Sequence, residues 1–254
     1  MIWLVYDGSF EGLLTTVFEV YEYKWPEIHI RKEGMAVPPL FAEIRHVVTD
    51  DEKAKRVWKK LIGLFGPSGV RTLWISWLSE LETIEETILE VIRYGLKLQQ
   101  HVLNDFGNLH VLQLQQAVKS VGREKHRMEA FVRFQLTKDA IYFSVIEPDF
   151  NVLPLILSHF RDRYADQKWF IYDSRRAYGI YYDLERAELV DFIPNALLSP
   201  NGLSSEAFSE NEMLFQKLWK DYFKSTNIVG RKNIQLHVQH VPKRYWKYLV
   251  EKRL

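Results

Sequence analysis

In the run Pro242-Lys243-Arg244-Tyr245-Trp246-Lys247-Tyr248, cations alternate with flat aromatic rings. That is the pairing that a polyanion with stackable bases calls for, with lysine and arginine for the phosphates and rings for the bases. The run lies in a basic segment. From Lys224 to Leu254 there are eight Lys and Arg (Lys224, Arg231, Lys232, Lys243, Arg244, Lys247, Lys252, Arg253) against one acid, Glu251, so the segment carries +7 in a chain of formal net charge +1. Residues 1–223 are therefore net acidic. Arg231, Asn233, Arg244, Tyr245 and Trp246 are the candidate contacts to nucleic acid or to a partner here. Arg, Tyr and Trp also dominate protein–protein hot spots, so composition does not separate a DNA contact from a protein contact. A tail that packs back on its own core is the plain alternative, with Trp246 and Leu249 at i and i+3 as its anchoring face.

A second group lies mid-chain: His126-Arg127, Arg133, Arg163 and Asp173-Ser174-Arg175-Arg176. An alternating pattern predicts that Arg133 shares a strand face with Phe131 and Gln135, a surface that presents a guanidinium beside an aromatic ring. A solvated face with ion pairs to Glu129 or Asp173 explains the same residues. Arg175 and Arg176 fall in a hairpin turn. The candidates for acid–base work in a pocket are Asp7, His126, Glu147, His159 and Asp173, since two carboxylates sharing one environment can be driven to different pKa values. Asp7 and Glu11 also suit a purely local role at a helix start. His237-x-x-His240 is predicted to lie in an extended segment with no third ligand nearby and does not make a metal site. There is no Gly-x-Gly-x-x-Gly, no phosphate-binding Gly-Lys-Ser/Thr loop and no Gly-x-Ser-x-Gly elbow, so dinucleotide, nucleoside triphosphate and serine esterase chemistry lack their usual devices.

These residues need positioning elements, and 254 residues with 47% hydrophobic content can build a real core. Ile2 to Tyr6 reads as a strand ended by Asp7-Gly8, and Ser9 caps a helix bearing Leu13, Leu14, Val17, Phe18 and Tyr21. Glu27 to Pro39 reads as loop, followed by a strand at Ile44 to Val48. From about Asp51 to Lys125 the helical period dominates, broken at Gly66-Pro67-Ser68-Gly69 and at Asp105-Phe106-Gly107-Asn108. From Met128 the period becomes two, giving a hairpin with a turn at Lys138-Asp139 and a second strand from Ile141 to Ile146. A helix from Asp149 to Tyr164 precedes strands at Trp169 to Tyr172, Ala177 to Tyr182 and Leu189 to Phe192. A loop is expected from Asn195 to Ser209, an amphipathic helix from Glu212 to Phe223, and a short helix from Pro242. This is an α+β pattern: an antiparallel sheet with packed helices and a helical insertion at about 51–125. The chain is expected to form either one domain or two lobes, one of residues 51–125 and one of residues 1–50 with 126–254. No apolar run spans a bilayer and no signal peptide is visible, which makes the cytoplasm the expected compartment. Zero cysteines exclude disulfides and cysteine-held metal or iron–sulfur sites within this chain.

Three separated blocks carry a resemblance. They are Tyr6-Asp7-Gly8-Ser9-Phe10-Glu11-Gly12-Leu13-Leu14; His126-Arg127-x-x-x-Phe131-Val132-Arg133-Phe134 with Glu147-Pro148-Asp149 and His159-Phe160-x-x-Arg163; and Arg231-Lys232-Asn233 with Val241-Pro242-x-Arg244-Tyr245-Trp246. Together they resemble an uncharacterised bacterial family of probable DNA metabolism proteins built on a domain of unknown function. Met128 departs from that pattern, which has a large aromatic or apolar residue there. The resemblance implies companionship with a radical S-adenosylmethionine enzyme of DNA modification or repair, whose iron–sulfur cluster and S-adenosylmethionine would belong to the partner. In some relatives a comparable region is fused to a uracil-DNA-glycosylase-like domain. The expected function is that of a DNA-associated accessory protein binding nucleic acid, that partner, or both. The alternatives are a nucleobase- or nucleotide-acting hydrolase or glycosylase-like enzyme and a pure protein-interaction module.

Overall fold

The computed structural model describes residues 2–25, 27–35, 42–191, 198–199, 202–203, 209, 212, 216, 238 and 241–252. They group into two compact units, Met1–Gly122 and Arg123–Leu254. The fold class is α+β.

In the first unit β1 (Ile2–Tyr6) is the middle strand of a parallel sheet, flanked by β2 (Ile28–Lys32) and β3 (Glu43–His46). Parallel neighbours need a crossover, and α1 (Phe10–Glu22) provides it, capped by Ser9, whose Oγ accepts the Gly12 N–H at 2.9 Å. β2 replaces the loop expected at 27–39. Its Ile30 is fully buried, and the Ile30 N–H donates to Glu86 Oε1 at 3.1 Å, so a side chain 56 residues away satisfies this backbone group. No local pattern encodes that bond.

α2 (Asp51–Trp77) starts on Asp50, whose Oδ1 accepts the N–H groups of Glu52 and Lys53. It consists of two helical segments meeting at Gly66, where φ is 71° and ψ is 171°. That left-handed backbone favours glycine, and Pro67 opens the second segment without losing a bond. α3 (Ile84–Leu98) and α4 (Leu109–Phe131) follow, the latter capped by Asn108 through the N–H groups of His110 and Val111. Leu4, Leu13, Ile30, Leu61, Leu73, Ile88, Ile92 and Val111 meet in one core cluster. Each such side chain contributes about 1.5–3 kcal/mol through burial.

The second unit begins with the last turns of α4, from Arg123. Its sheet contains β4 (Gln135–Leu136), β5 (Tyr142–Ile146), β6 (Trp169–Asp173), β7 (Tyr178–Tyr182) and β8 (Ala187–Val190), in the order β4-β5-β6-β7-β8. All neighbours are antiparallel except β5 and β6, which α5 (Leu153–Arg163) connects as a parallel pair. The expected antiparallel sheet with packed helices is thus mixed at β5–β6, and the sheet of the first unit is parallel. β9 (Leu198–Ser199) and β10 (Gly202–Leu203) form a short antiparallel pair within the segment expected as loop. The helix expected at 212–223 lies almost wholly outside the described residues, though Glu212 and Gln216 are helical. The end of the chain folds into two 3₁₀ helices, Lys243–Tyr248 and Val250–Lys252. Among the described residues no helix is long and apolar enough to cross a membrane.

The strand expected from Met128 does not start there. Val121, Glu124, Met128 and Phe131 repeat at three- and four-residue spacing, and α4 continues through Phe131 with Met128 buried. Arg133 therefore does not share a sheet face with Phe131 and Gln135. It ends the helix, its Nη1 donating to the carbonyls of Ala130 at 2.7 Å and Val132 at 3.1 Å.

Candidate functional site

The second unit contains an open cleft of about 1030 Å³ between the end of α4, the β4–β5 hairpin, α5 and the start of β6. Its aromatic wall follows from the sequence of those elements. Phe134 lies 5.3 Å from Tyr164, 5.8 Å from Phe160 and 6.3 Å from Trp169, centroid to centroid, and Tyr182 stacks behind Trp169 at 5.4 Å. Phe134, Tyr142, Tyr164 and Trp169 line the cleft. Trp169 is fully buried, and its Nε1 has no hydrogen-bond partner among the described residues. Gln167 adds an amide to the lining.

Two polar groups from helices face the same space. Arg163, at the last position of α5, is exposed with its guanidinium 5.8 Å from the Tyr164 ring centroid, and it has no ion pair among the described residues. His159, one turn earlier, places Nδ1 3.9 Å from Glu129 Oε1, while Lys125 donates to that same oxygen at 2.7 Å. An imidazole can relay a proton, and a guanidinium can meet a phosphate. Arg133 also lines the cleft, but its Nη2 is bound to Glu251 Oε1 at 3.0 Å.

The basic–aromatic run of the tail is seated on its own unit. Tyr245 is 2% exposed, and its hydroxyl donates to Glu124. Arg244 bonds Glu124 Oε2 at 3.2 Å and Asp149 Oδ2 at 2.7 Å. Glu124, whose side chain is 1% exposed, also accepts the Asp149 N–H at 2.9 Å and lies 3.5 Å from Arg127. Lys247 and Tyr248 both bond Glu147, and Trp246 Nε1 donates to the Val241 carbonyl at 3.0 Å. Leu249 and Val250 are buried. Burial, aided by Glu124, pushes the Tyr245 hydroxyl well above its usual range, whereas Lys247, then Tyr248, hold the Glu147 carboxyl below the usual carboxylate range. Tyr245 consequently offers no open face for a base, which corrects its placing as a stacking platform. The anchoring residues of the packed tail are Tyr245 and Leu249, with Trp246 half-buried.

The remaining candidates separate. Asp173 is fully buried; burial raises its pKa against the pull of Arg176, which bonds it at 2.9 Å, and its Oδ1 accepts the N–H of Arg175 at 2.9 Å. It organises the β6–β7 turn. Arg176 also donates to the carbonyls of Pro148 and Asp149, and the more exposed Arg175 reaches the Asp149 carbonyl at 3.3 Å. His126 is exposed on α4 and does not line the cleft. Asp7 belongs to the first unit, where burial is outweighed by Ser9 and Thr49 donors that lower its pKa. A Cβ at Gly12 would stand 2.2 Å from Asp7 Oδ1, which ties this glycine to the turn. Arg231, Asn233, His237 and His240 lie outside the described residues. Of the residues singled out in the sequence, the cleft gathers Arg133, His159 and Arg163.

The family model for DUF4130, a domain of unknown function, matches residues 82–251. The chain belongs to the DUF4130 family. The DUF4130 match contains the cleft and the acids that seat the tail, Glu124, Glu147 and Asp149. No curated protein matches the chain. Among solved structures it is similar to a pGpG-specific phosphodiesterase, PggH from Vibrio cholerae, at 10% identity with 89% of this chain and 99% of that chain covered and a TM-score of 0.27.

Reading the DUF4130 sequence alone missed Glu124, Glu129, Gln167 and Trp169. Glu124 had a readable signal: it occupies the buried helical face of Val121 and Met128, and an acid at a core position demands partners. Gln167 and Trp169 had none, because only tertiary structure brings the α5–β6 connection beside the end of α4.

Proposed function

We propose that this DUF4130 protein is a DNA-associated accessory protein whose second unit takes an unstacked base, or a nucleotide, in the cleft walled by Phe134, Tyr142 and Tyr164. The observation that carries this reading is that Arg163, which has no ion pair among the described residues, lines an aromatic-walled cleft. Bases stack on aromatic rings for about 1–3 kcal/mol each, and a guanidinium beside the rings meets the phosphate that follows. The Gln167 amide supplies a donor and an acceptor for a base edge. Fluorescence anisotropy tests this with single-stranded oligonucleotides of normal and abasic composition. Normal strands are expected to bind more tightly, and Arg163→Ala to weaken them several-fold; equal affinity for abasic strands defeats the reading.

The radical S-adenosylmethionine partner belongs to the same proposal. With zero cysteines, this chain has no thiolate for a cluster, so the cluster and S-adenosylmethionine would reside in the partner. Co-elution of the two purified proteins on size exclusion is the expected result, and separate elution at micromolar concentration speaks against a stable pair.

The His159–Glu129 pair favours a second reading, hydrolysis of a nucleobase or nucleotide in the same cleft. His159 would take the proton of a water that attacks the carbon or phosphorus losing the leaving group, with the Glu129 carboxylate 3.9 Å from its Nδ1. Glu147 and Asp173 are not used, because the tail and the β6–β7 turn engage them. A panel of damaged-base oligonucleotides and free nucleotides should yield product that His159→Gln reduces by about 10²-fold or more. A panel without turnover removes the hydrolase.

A further inference from the structure

The first unit contains a cleft of about 580 Å³ whose lining, among the described residues, holds no acid. Arg56, Lys59, Lys60 and Gly63 come from the first segment of α2, and Gln99, Gln100 and His101 from the end of α3 and the turn beyond it. We propose that this cleft is a phosphate-contacting site for the backbone of a nucleic acid, distinct from the aromatic cleft of the second unit.

Helical geometry puts Arg56, Lys59 and Lys60 on one face, at i, i+3 and i+4. Like charges so spaced repel one another, and here no protein acid relieves the repulsion: all three are exposed, and none has an ion pair among the described residues. Elsewhere on the same helix Lys53 is matched with Glu19 and Glu22, and Lys55 with Glu52, whereas Arg71 also has no ion pair among the described residues. Arg56 is held in place by the Phe18 ring, 4.9 Å from its guanidinium, and His101 by an edge-on contact with Phe65. The C-terminus of α3 also reaches this cleft, but two of its carbonyls are occupied: Gln99 Nε2 donates to Leu96, and the Gln100 N–H to Gly95.

The lining selects the class of ligand. Unpaired cations in a concave surface concentrate positive potential and draw in an anion. Among the described residues the lining holds no Phe, Tyr or Trp, which argues for backbone contact rather than base reading, so binding is sequence-independent and salt-dependent. Three cations along one helix face suit successive phosphates of a strand better than one isolated phosphate.

The test uses the full chain, an abasic single-stranded oligonucleotide as probe, and the double variant Lys59→Gln with Lys60→Gln. Wild-type protein is expected to bind the abasic strand, with the logarithm of affinity falling linearly with that of salt. The double variant should bind about tenfold or more weakly, with a salt slope shallower by about 1.4, at roughly 0.7 per lost phosphate contact. Both substituted residues are exposed, so an unchanged melting curve is expected as the folding control. Unchanged affinity and slope in the variant overturn the proposal, as does failure of folded wild type to bind the strand. Vesicles of anionic lipid or an acidic peptide that bind through Lys59 and Lys60 while the oligonucleotide does not would assign the site to a different ligand. The aromatic-cleft reading stands or falls separately, because it requires bases and Arg163, and this site requires neither.

Discussion

The tail of the second unit and the face of α2 in the first are both rich in cations, and they meet opposite fates. In the tail, Arg244 is matched by Glu124 and Asp149 and Lys247 by Glu147, while the tail's own Glu251 holds Arg133. On α2, Arg56, Lys59 and Lys60 meet no acid among the described residues. The +7 of the last thirty-one residues is the more conspicuous signal in the sequence. Where its residues are described, much of that charge is spent within the unit. Charge density along a chain measures how many cations there are; what is left for a phosphate depends on which acids the fold delivers to them.

The largest effect that tests this contrast is expected at the hub of the tail. Glu124→Ala removes a buried carboxylate that receives Tyr245, Arg244 and the Asp149 N–H. It should cost about 3–5 kcal/mol, read from denaturant unfolding, and should expose the tail to protease. A loss under about 1 kcal/mol would mean that the tail's charges are not matched as described.

Next comes the reciprocal test of the two regions. Arg244→Ala should lower stability by about 1 kcal/mol and leave the salt slope of oligonucleotide binding unchanged, because Arg244 is engaged by acids of its own unit. The paired substitution at Lys59 and Lys60 should do the reverse, shifting the slope and sparing stability. If Arg244→Ala makes the slope shallower by about one phosphate contact, the tail competes for phosphate and the contrast fails.

A smaller effect sharpens the role of the aromatic cleft. Arg163→Ala should change stability by no more than about 0.5 kcal/mol, since the side chain is exposed and has no ion pair among the described residues, while weakening base-bearing ligands several-fold. A destabilisation above about 1 kcal/mol would make Arg163 a packing residue.

The smallest effect is a pH dependence of the tail's seat. Lys247 and Tyr248 lower the Glu147 pKa, so the unfolded chain binds that proton more tightly than the folded one. The contribution of Glu147 is therefore complete above the ordinary carboxylate range, about pH 4, and fades as pH falls through the lower folded value. Unfolding midpoints followed from pH 6 to pH 2 should fall less steeply in Glu147→Gln than in wild type. Parallel curves would show that Glu147 does not clamp the tail.

Much of the fold was legible because it is local. The strand, turn and capped helix from Ile2 to Glu22, the break at Gly66-Pro67 and the strands at Trp169 and Tyr178 follow from caps, glycine dihedrals and apolar period. The failures share a different cause. β2 depends in part on Glu86, 56 residues away, and the strand expected from Met128 gave way to the buried helical face that Glu124 and Met128 share. The aromatic cleft was legible only in pieces: His159 and Arg163 were singled out, but the rings that wall it and the Glu129 beside His159 meet only when α5 returns to the end of α4.

By itself the sequence determined the α+β class, the capped start of α1, the break at Gly66-Pro67 and the absence of any thiol, because backbone preference, side-chain period and composition act within a few residues. Tertiary structure alone decided which cations are free. An ion pair forms between side chains that the chain separates by a hundred residues or more, as Lys247 and Glu147 or Arg244 and Glu124 are, and a charge is neutralised by whichever acid the fold sets beside it.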